Sequence, residues 1–333
     1  MPISNYDIFS CLKIKLGLTL YDALAGHYRI VRHKTVRGCY LTKQASVINS
    51  GKILKTFSYW DAQTNDSQLV QRVASSASKL GAKLTESCEA KSIEQDANGW
   101  KVTVKTPNNK LHTISALYVV NALGPWSNLF LEKSQLPPTH QGIANKGVHL
   151  ILPDLGLQAG LLLEAYTDKR LFFLLPWEGK TLVGTTESLF HRPPDSLSVS
   201  KQEVDYLLNN LNPYLKKPIA STDILSSFAG LRWLAAQPLQ GLSSMTREHV
   251  LGEIFSNRGS LITIYGGKLT SYRNLAETIG NKIIRYKVVV SLEKKTLLFI
   301  FFPPYFLFSV SISNTIQCFN LIKTFINDTE FFP

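Results

Sequence analysis

A chain of 333 residues, 44% hydrophobic and 18% charged, has the composition of a folded globular protein of about two domains, which excludes a disordered chain. Its net charge of +12 is uneven, since residues 1–56 hold 9 Lys or Arg against only Asp7 and Asp22, and such an excess suits an acidic substrate or an anionic surface. No aromatic and basic interleaving marks a nucleic-acid module, and Cys11, Cys39, Cys88 and Cys318 are too far apart for a CxxC pair, which argues for a reducing compartment and against a disulfide framework or a metal site.

The N-terminus lacks the succession of charged, apolar and small residues that makes a signal peptide, so a cytoplasmic protein is the default expectation. The first clear helix is capped by Asn65 or Asp66, places Leu69, Val70, Val73, Ala77 and Leu80 on one face and stops at Gly81. Three alternating segments follow, EAKSIEQ, WKVTVKT and LHTISAL, separated by the turns DANG and PNNK, and they predict a small antiparallel meander. The continuous apolar run YVVNALGPW, residues 118–126, reads as a strand buried on both faces with Gly124 at its carboxyl end, the edge where open α/β sheets bind ligands.

Beyond Pro125, short strands are expected at 146–153, 161–166, 170–177 and 180–186, and a one-sided helix from Lys201 to Leu215. Leu261 to Tyr265 is a β-branched and aromatic run interrupted by Gly266 and Gly267, and a helix begins near Thr270 or Ser271 with Tyr272, Leu275, Ala276, Ile279 and Ile283 on one face. Glycines before a helix start let a ligand approach the backbone, and the exposed amides together with Lys268 favour an anion. The plain alternative is an ordinary strand, turn and helix with solvated Lys268 and Arg273. The helix to Lys287 also carries Lys282 and Arg285 beside its apolar face, as an interfacial helix or a core-packed one would.

In order along the chain, FSYWDAQTNDSQLV, VVNALGPW, KGVHLILP, LLPWEGKTLVGTTE, FAGLRWL, MTREHVL and YGGKLTSYRNLAE resemble the FAD-dependent glycerol-3-phosphate dehydrogenase family, of D-amino-acid-oxidase-like fold, over residues from about 12 to about 285. The resemblance implies an α/β (α+β) architecture: part of a doubly wound FAD-binding domain with an antiparallel substrate or cap sheet. The division it implies is cap region 1–60, FAD-binding part 61–127, substrate or cap domain 128–250, FAD-binding return 251–285 and a Phe-rich tail 286–333. It implies oxidation of sn-glycerol 3-phosphate to dihydroxyacetone phosphate, with electrons passed to a quinone at the inner face of the cytoplasmic membrane.

By the same resemblance Gly267, Lys268, Leu269 and Thr270 face the flavin ring and Gly124 lies on its pyrophosphate side, with Leu123 where the family carries a Thr or a small residue. Arg247 corresponds to the phosphate-binding arginine, and Arg232, Lys268 and His149 to positions near the reacting hydroxyl, His149 being the expected proton acceptor. A lone histidine on a strand is, by itself, more simply a structural one. Trp233 stands where the family commonly has Pro.

Two departures bear on activity. No G-x-G-x-x-G occurs, Gly17, Gly26 and Gly38 being the nearest candidates, so the expectation is a fragment that begins inside the ancestral protein, lacks its helical C-terminal domain and has an apolar sheet edge left open. After Arg285 the chain is rich in Phe, Leu, Ile, Ser and Lys without periodicity, as a frameshifted or read-through tail would be. Within it, residues 296–312 are 17 residues with two adjacent prolines, a poor spanning helix. An enzyme of this family is therefore weighed against an inactive remnant that keeps a phosphate-ligand or partner surface, and against a related flavin oxidase such as glycerol-3-phosphate oxidase.

Overall fold

The computed structural model describes residues 2–3, 8–28, 30–36, 43–49, 55–235, 248–289, 295–301 and 306–312. In chain order the elements begin with β1 (Pro2–Ile3), α1 (Ile8–Leu24), β2 (Lys34–Val36), β3 (Lys55–Ser58), α2 (Asp66–Lys79) and β4 (Lys83–Glu86). They continue with β5 (Glu89–Asp96), β6 (Gly99–Lys105), β7 (Leu111–Ala116), β8 (Tyr118–Ala122), α3 (Ser127–Lys133) and β9 (Gly142–Leu152). Next come β10 (Leu161–Glu164), β11 (Leu171–Trp177), β12 (Lys180–Gly184), β13 (Ser188–Leu189), α4 (Lys201–Leu211) and β14 (Ser226–Ala235). The last are β15 (Val250–Phe255), β16 (Ser260–Tyr265), α5 (Tyr272–Val289), β17 (Lys295–Phe301) and β18 (Phe306–Ile312).

Two compact units result: Met1–Gln63, Lys146–Ser188 and Asp195–Gly230 form the first, and Thr64–Asn145, Leu189–Pro194 and Leu231–Pro333 the second. The first unit is built on antiparallel strands in the order β10, β11, β12, β9. β11 shows why: Phe172 and Leu174 turn inward and are buried, while Leu171 and Phe173 are exposed, the period of two that a one-sided sheet demands. Leu207, Leu208 and Leu211 of α4 close over this face, and the buried Tyr214 donates its hydroxyl to the Glu164 carbonyl at 2.6 Å. A capping box starts α4, Ser200 accepting from Glu203 N while the Glu203 side chain accepts from Ser200 N. This helix ends at Leu211, because Pro213 tightens the next turn into a 3-10 helix, and so falls short of the expected Leu215.

The second unit holds the meander β5–β6–β7 and a six-stranded sheet in the order β15, β16, β8, β17, β18, β4. β8 is the spine: it runs parallel to β16 on one side, with Thr263 opposite Asn121, and parallel to β17 on the other, with Phe299 opposite Val120. Val119 and Leu261 pack on the meander core, whereas Val120 and Ile262 pack on Ala77 of α2 and Ile279 and Ile283 of α5. A continuous apolar sequence is what burial on both faces requires. Asn65 caps α2 by accepting from Gln68 N, and Gly81 leaves it at φ +95°.

The structure departs from the sequence reading in three places. The tail does not leave β8 with an open edge, since residues 295–301 and 306–312 form strands that fill the sheet between β8 and β4; backbone pairing needs no side-chain period, which is why the sequence carries no signal of it. The last helix is entered through a 3-10 turn, Leu269–Ser271, so α5 starts at Tyr272, two residues after Thr270. α1 is an unexpected helix that exposes Leu12, Leu16, Leu20 and Leu24. Among the described residues no helix is long and apolar enough to cross a membrane.

Candidate active site

Because β8 and β16 are parallel neighbours, their carboxyl ends lie on one edge, and each ends in a glycine turn. Gly124, two residues past β8, has φ +54°; Gly266 and Gly267, directly after β16, have φ +70° and +101°. L side chains rarely adopt such angles. Gly266 is needed twice over, since a Cβ there would stand 2.7 Å from the Glu248 carbonyl oxygen, while at Gly267 the nearest atoms are an ordinary 3.7 Å away and the angle alone demands glycine. Residues Gly267 to Thr270 are all exposed, Leu269 at 44%, so an apolar side chain and open backbone face outward together just ahead of α5.

Lys268 supplies the charge at this edge, held by Glu248 through a 3.0 Å ion pair whose side chains are both at least half exposed. The Trp233 carbonyl lies 3.8 Å from the place of a Cβ on Gly266, so β14 brings Arg232, half-buried, to the same neighbourhood. The Trp233 ring occupies the space that a Cβ on Gly142 would take, which is how the chain accommodates a large residue there. Leu123 is buried in the core beneath the Gly124 turn with Phe130 and Leu131. Behind both turns are buried polar groups: Asn121 donates to the Ser127 carbonyl at 3.3 Å and to Thr263 Oγ1 at 3.4 Å, and the Tyr265 hydroxyl donates to Asn128 Oδ1 at 2.9 Å.

In the first unit His149, on β9, lies opposite Gly184 of β12 and stacks on Phe228 with centroids 5.0 Å apart at 14°. A Cβ on Gly184 would strike the imidazole, so glycine makes room for this ring orientation. The same unit carries an open pocket of about 230 Å³ lined by Asp168, Arg170, Glu187, Glu203 and Tyr206 among others. Burial pushes the Glu203 carboxyl up, but hydrogen bonds from Lys146 and Ser200 and the Lys146 charge outweigh it and leave it below its ordinary value. Burial, with a hydrogen bond to Asp168, pushes the Tyr206 phenol up to about 12.

Of the residues singled out in the sequence, Gly124, Gly267, Lys268, Leu269 and Thr270 come together on one sheet edge, and Arg232 lies on β14, whose Trp233 carbonyl approaches Gly266. His149 belongs to the other unit, and Arg247 lies outside the described residues. On α5, Lys282 pairs with Glu253 at 2.6 Å and Ile279 and Ile283 are buried, the arrangement of a core-packed helix. Tyr265 and Asn128 went unrecognised, since they meet across 137 positions. The leucines of α1 recur every four residues, a signal that could have revealed the helix.

The profile of the FAD dependent oxidoreductase family (DAO) matches residues 22–273. The glycerol-3-phosphate dehydrogenase of Pseudomonas aeruginosa is 31% identical over 268 residues, 80% of this chain and 51% of that protein. The D-erythritol 1-phosphate dehydrogenase of Brucella abortus is 29% identical over 267 residues, 79% of this chain and 53% of that protein. Among solved structures, the glycerol-3-phosphate dehydrogenase from Bacillus halodurans complexed with FAD aligns at a TM-score of 0.63 and 26% identity, covering 77% of this chain and 50% of that one. The chain thus spans about half the length of the curated relatives it matches.

Proposed function

For this chain, which belongs to the FAD dependent oxidoreductase family, we propose oxidation of a polyol phosphate, sn-glycerol 3-phosphate first, to the corresponding ketone, dihydroxyacetone phosphate. The observation that carries this reading is the exposed Gly267–Thr270 segment between a parallel strand and the start of α5, beside the Gly124 turn. These residues fit a flavin ring: glycines open the backbone, Leu269 offers an apolar contact, and the positive helix start with Lys268 favours an electron-rich ring. FAD, when bound, supplies the two-electron acceptor. On the adenylate side the fit is poorer, because β17 in the adjoining slot returns at once as the antiparallel β18 and the sequence holds no G-x-G-x-x-G turn.

The chain's own residues divide the remaining work. Arg247 and Arg232 provide the guanidinium charge that a phosphate monoester needs, Lys268 adds to it, and His149, held by Phe228 and Gly184, accepts the hydroxyl proton in its neutral form. The electron acceptor in this reading is a membrane quinone, reached from a cytoplasmic, peripheral position. The exposed Leu12, Leu16, Leu20 and Leu24 stripe of α1, flanked by Lys13 and Lys15, supports such contact better than α5 does. The D-erythritol 1-phosphate relative leaves the polyol length open. Anaerobic bleaching of reconstituted flavin tests the substrate: sn-glycerol 3-phosphate should bleach it and glycerol should not, and faster bleaching by D-erythritol 1-phosphate would move the assignment to the longer polyol. A catalytically silent chain that keeps only a phosphate-ligand or partner surface is the second reading, and the β17–β18 hairpin beside β8 favours it. A flavin oxidase, glycerol-3-phosphate oxidase among them, would differ by consuming oxygen.

A further inference from the structure

Beneath the two glycine turns sits a buried polar pair that the proposed chemistry does not use. Tyr265, the last residue of β16, is fully buried, and its hydroxyl donates to Asn128 Oδ1 at 2.9 Å. Asn128 belongs to the first turn of α3, four positions after Gly124; it is also buried, and its Nδ2 donates to the His140 carbonyl at 3.1 Å. The Thr139 hydroxyl lies 3.4 Å from the Tyr265 oxygen, and the His140 ring is tilted against the tyrosine with centroids 5.3 Å apart. Gly252 on β15 leaves room for this cluster, since a Cβ there would strike Thr139 Oγ1. A phenylalanine would fill the same volume as Tyr265, so packing alone does not ask for the hydroxyl. What the hydroxyl adds is a tie between the residue immediately before Gly266 and α3, which begins three residues after Gly124, in surroundings where a lost partner is not replaced by water.

We infer that Tyr265 and Asn128 are a positioning pair that makes the Gly124 turn and the Gly266–Gly267 turn move as one body. Resting on the FAD reading above, the pair sets the grip of this edge on the cofactor, because a flavin whose ring lies on Gly267–Thr270 and whose pyrophosphate side lies at Gly124 is bound in full only when both turns are held in register. The two residues touch neither substrate nor cofactor; they act through the turns.

Hydrogen exchange of the full-length chain without flavin, followed in segments 121–128 and 264–270, tests the coupling in wild type, Tyr265→Phe, Asn128→Ala and the double variant. Tyr265→Phe should speed exchange in both segments together, by roughly tenfold, and leave α2 unchanged. In the Asn128→Ala background the same substitution should add nothing. Acceleration confined to 264–270, or effects of the two substitutions that multiply, would overturn the coupling. Titration with FAD separates this inference from the reading beneath it. If wild type quenches FAD fluorescence, Tyr265→Phe should weaken binding about tenfold and shift the visible band of the bound flavin; equal affinity and an equal spectrum would overturn the role in grip. If no form binds FAD while both segments still loosen together, the coupling stands and the FAD reading falls.

Discussion

The two flanks of β8 present the same backbone problem with opposite outcomes. On one side β16 runs parallel to it, ends in Gly266–Gly267 and leads into α5; on the other β17 runs parallel to it and folds straight back as β18. The first flank carries buried Leu261, Ile262 and Thr263, the Tyr265–Asn128 tie and a glycine turn that φ and crowding both require. The second is a backbone ladder, Leu297 to Phe301 opposite Tyr118 to Ala122. A strand slot is satisfied by amide and carbonyl groups, which every β-prone segment owns. A ligand edge needs particular residues after the strand, and among the described residues the β16 flank supplies them.

The largest effect should come from emptying the β17 slot. A chain ending at Val289, or full-length Leu298→Pro, which removes a ladder donor opposite Val119, should lose soluble monomer on size-exclusion chromatography. A well-behaved monomer from both would show that the tail is dispensable and that β8 tolerates an open edge. Next in size is a control away from both flanks. Glu203→Ala in the first unit leaves Lys146, only 6% exposed, without its 2.6 Å partner and should cost about 3 kcal/mol in urea denaturation. The carboxyl of Glu203 is depressed in the folded chain, so its stabilisation is present above the ordinary carboxyl pKa and fades as pH falls through the lower folded value. The wild type should therefore lose its advantage over Glu203→Ala in acid, and a constant difference down to the lowest pH would contradict the assignment.

Smaller effects sharpen the β16 flank. Gly266→Ala should destabilise by about 2 kcal/mol, because both φ and the Glu248 carbonyl resist a Cβ, whereas Gly267→Ala, resisted by φ alone, should cost about 1 kcal/mol. Equal costs would mean that crowding at Gly266 relaxes freely. The smallest expected difference lies between ligands. With the ring edge intact and no glycine-rich turn on the β17 flank, FAD and FMN should bind within about threefold of each other in a fluorescence titration. A hundredfold preference for FAD would contradict this.

How far the sequence could be read follows from the range of each interaction. Asn65, Gly81 and the apolar run of β8 were legible because a cap, a left-handed stop and burial on both faces are each written within a few residues. The glycine edge was legible too, from a strand ending in Gly-Gly ahead of a helical period. α1 carries a four-residue leucine period, but that stripe, Leu12, Leu16, Leu20 and Leu24, is the exposed one, so reading it as a core face would have placed it wrongly. The place of the tail was illegible, since a run such as TLLFIFF is apolar throughout and names no partner strand. Tyr265 looked like the end of a strand, and nothing local says that its hydroxyl meets Asn128.

The absorbance spectrum of the full-length chain purified with excess FAD tests the central claim most directly. Retention of flavin in stoichiometric amount, with Gly266→Ala retaining less, is the expected result and would place the cofactor at the β16 flank. A colourless protein of intact fold would contradict it, and would mean that the glycine edge survives as architecture while the cofactor chemistry does not.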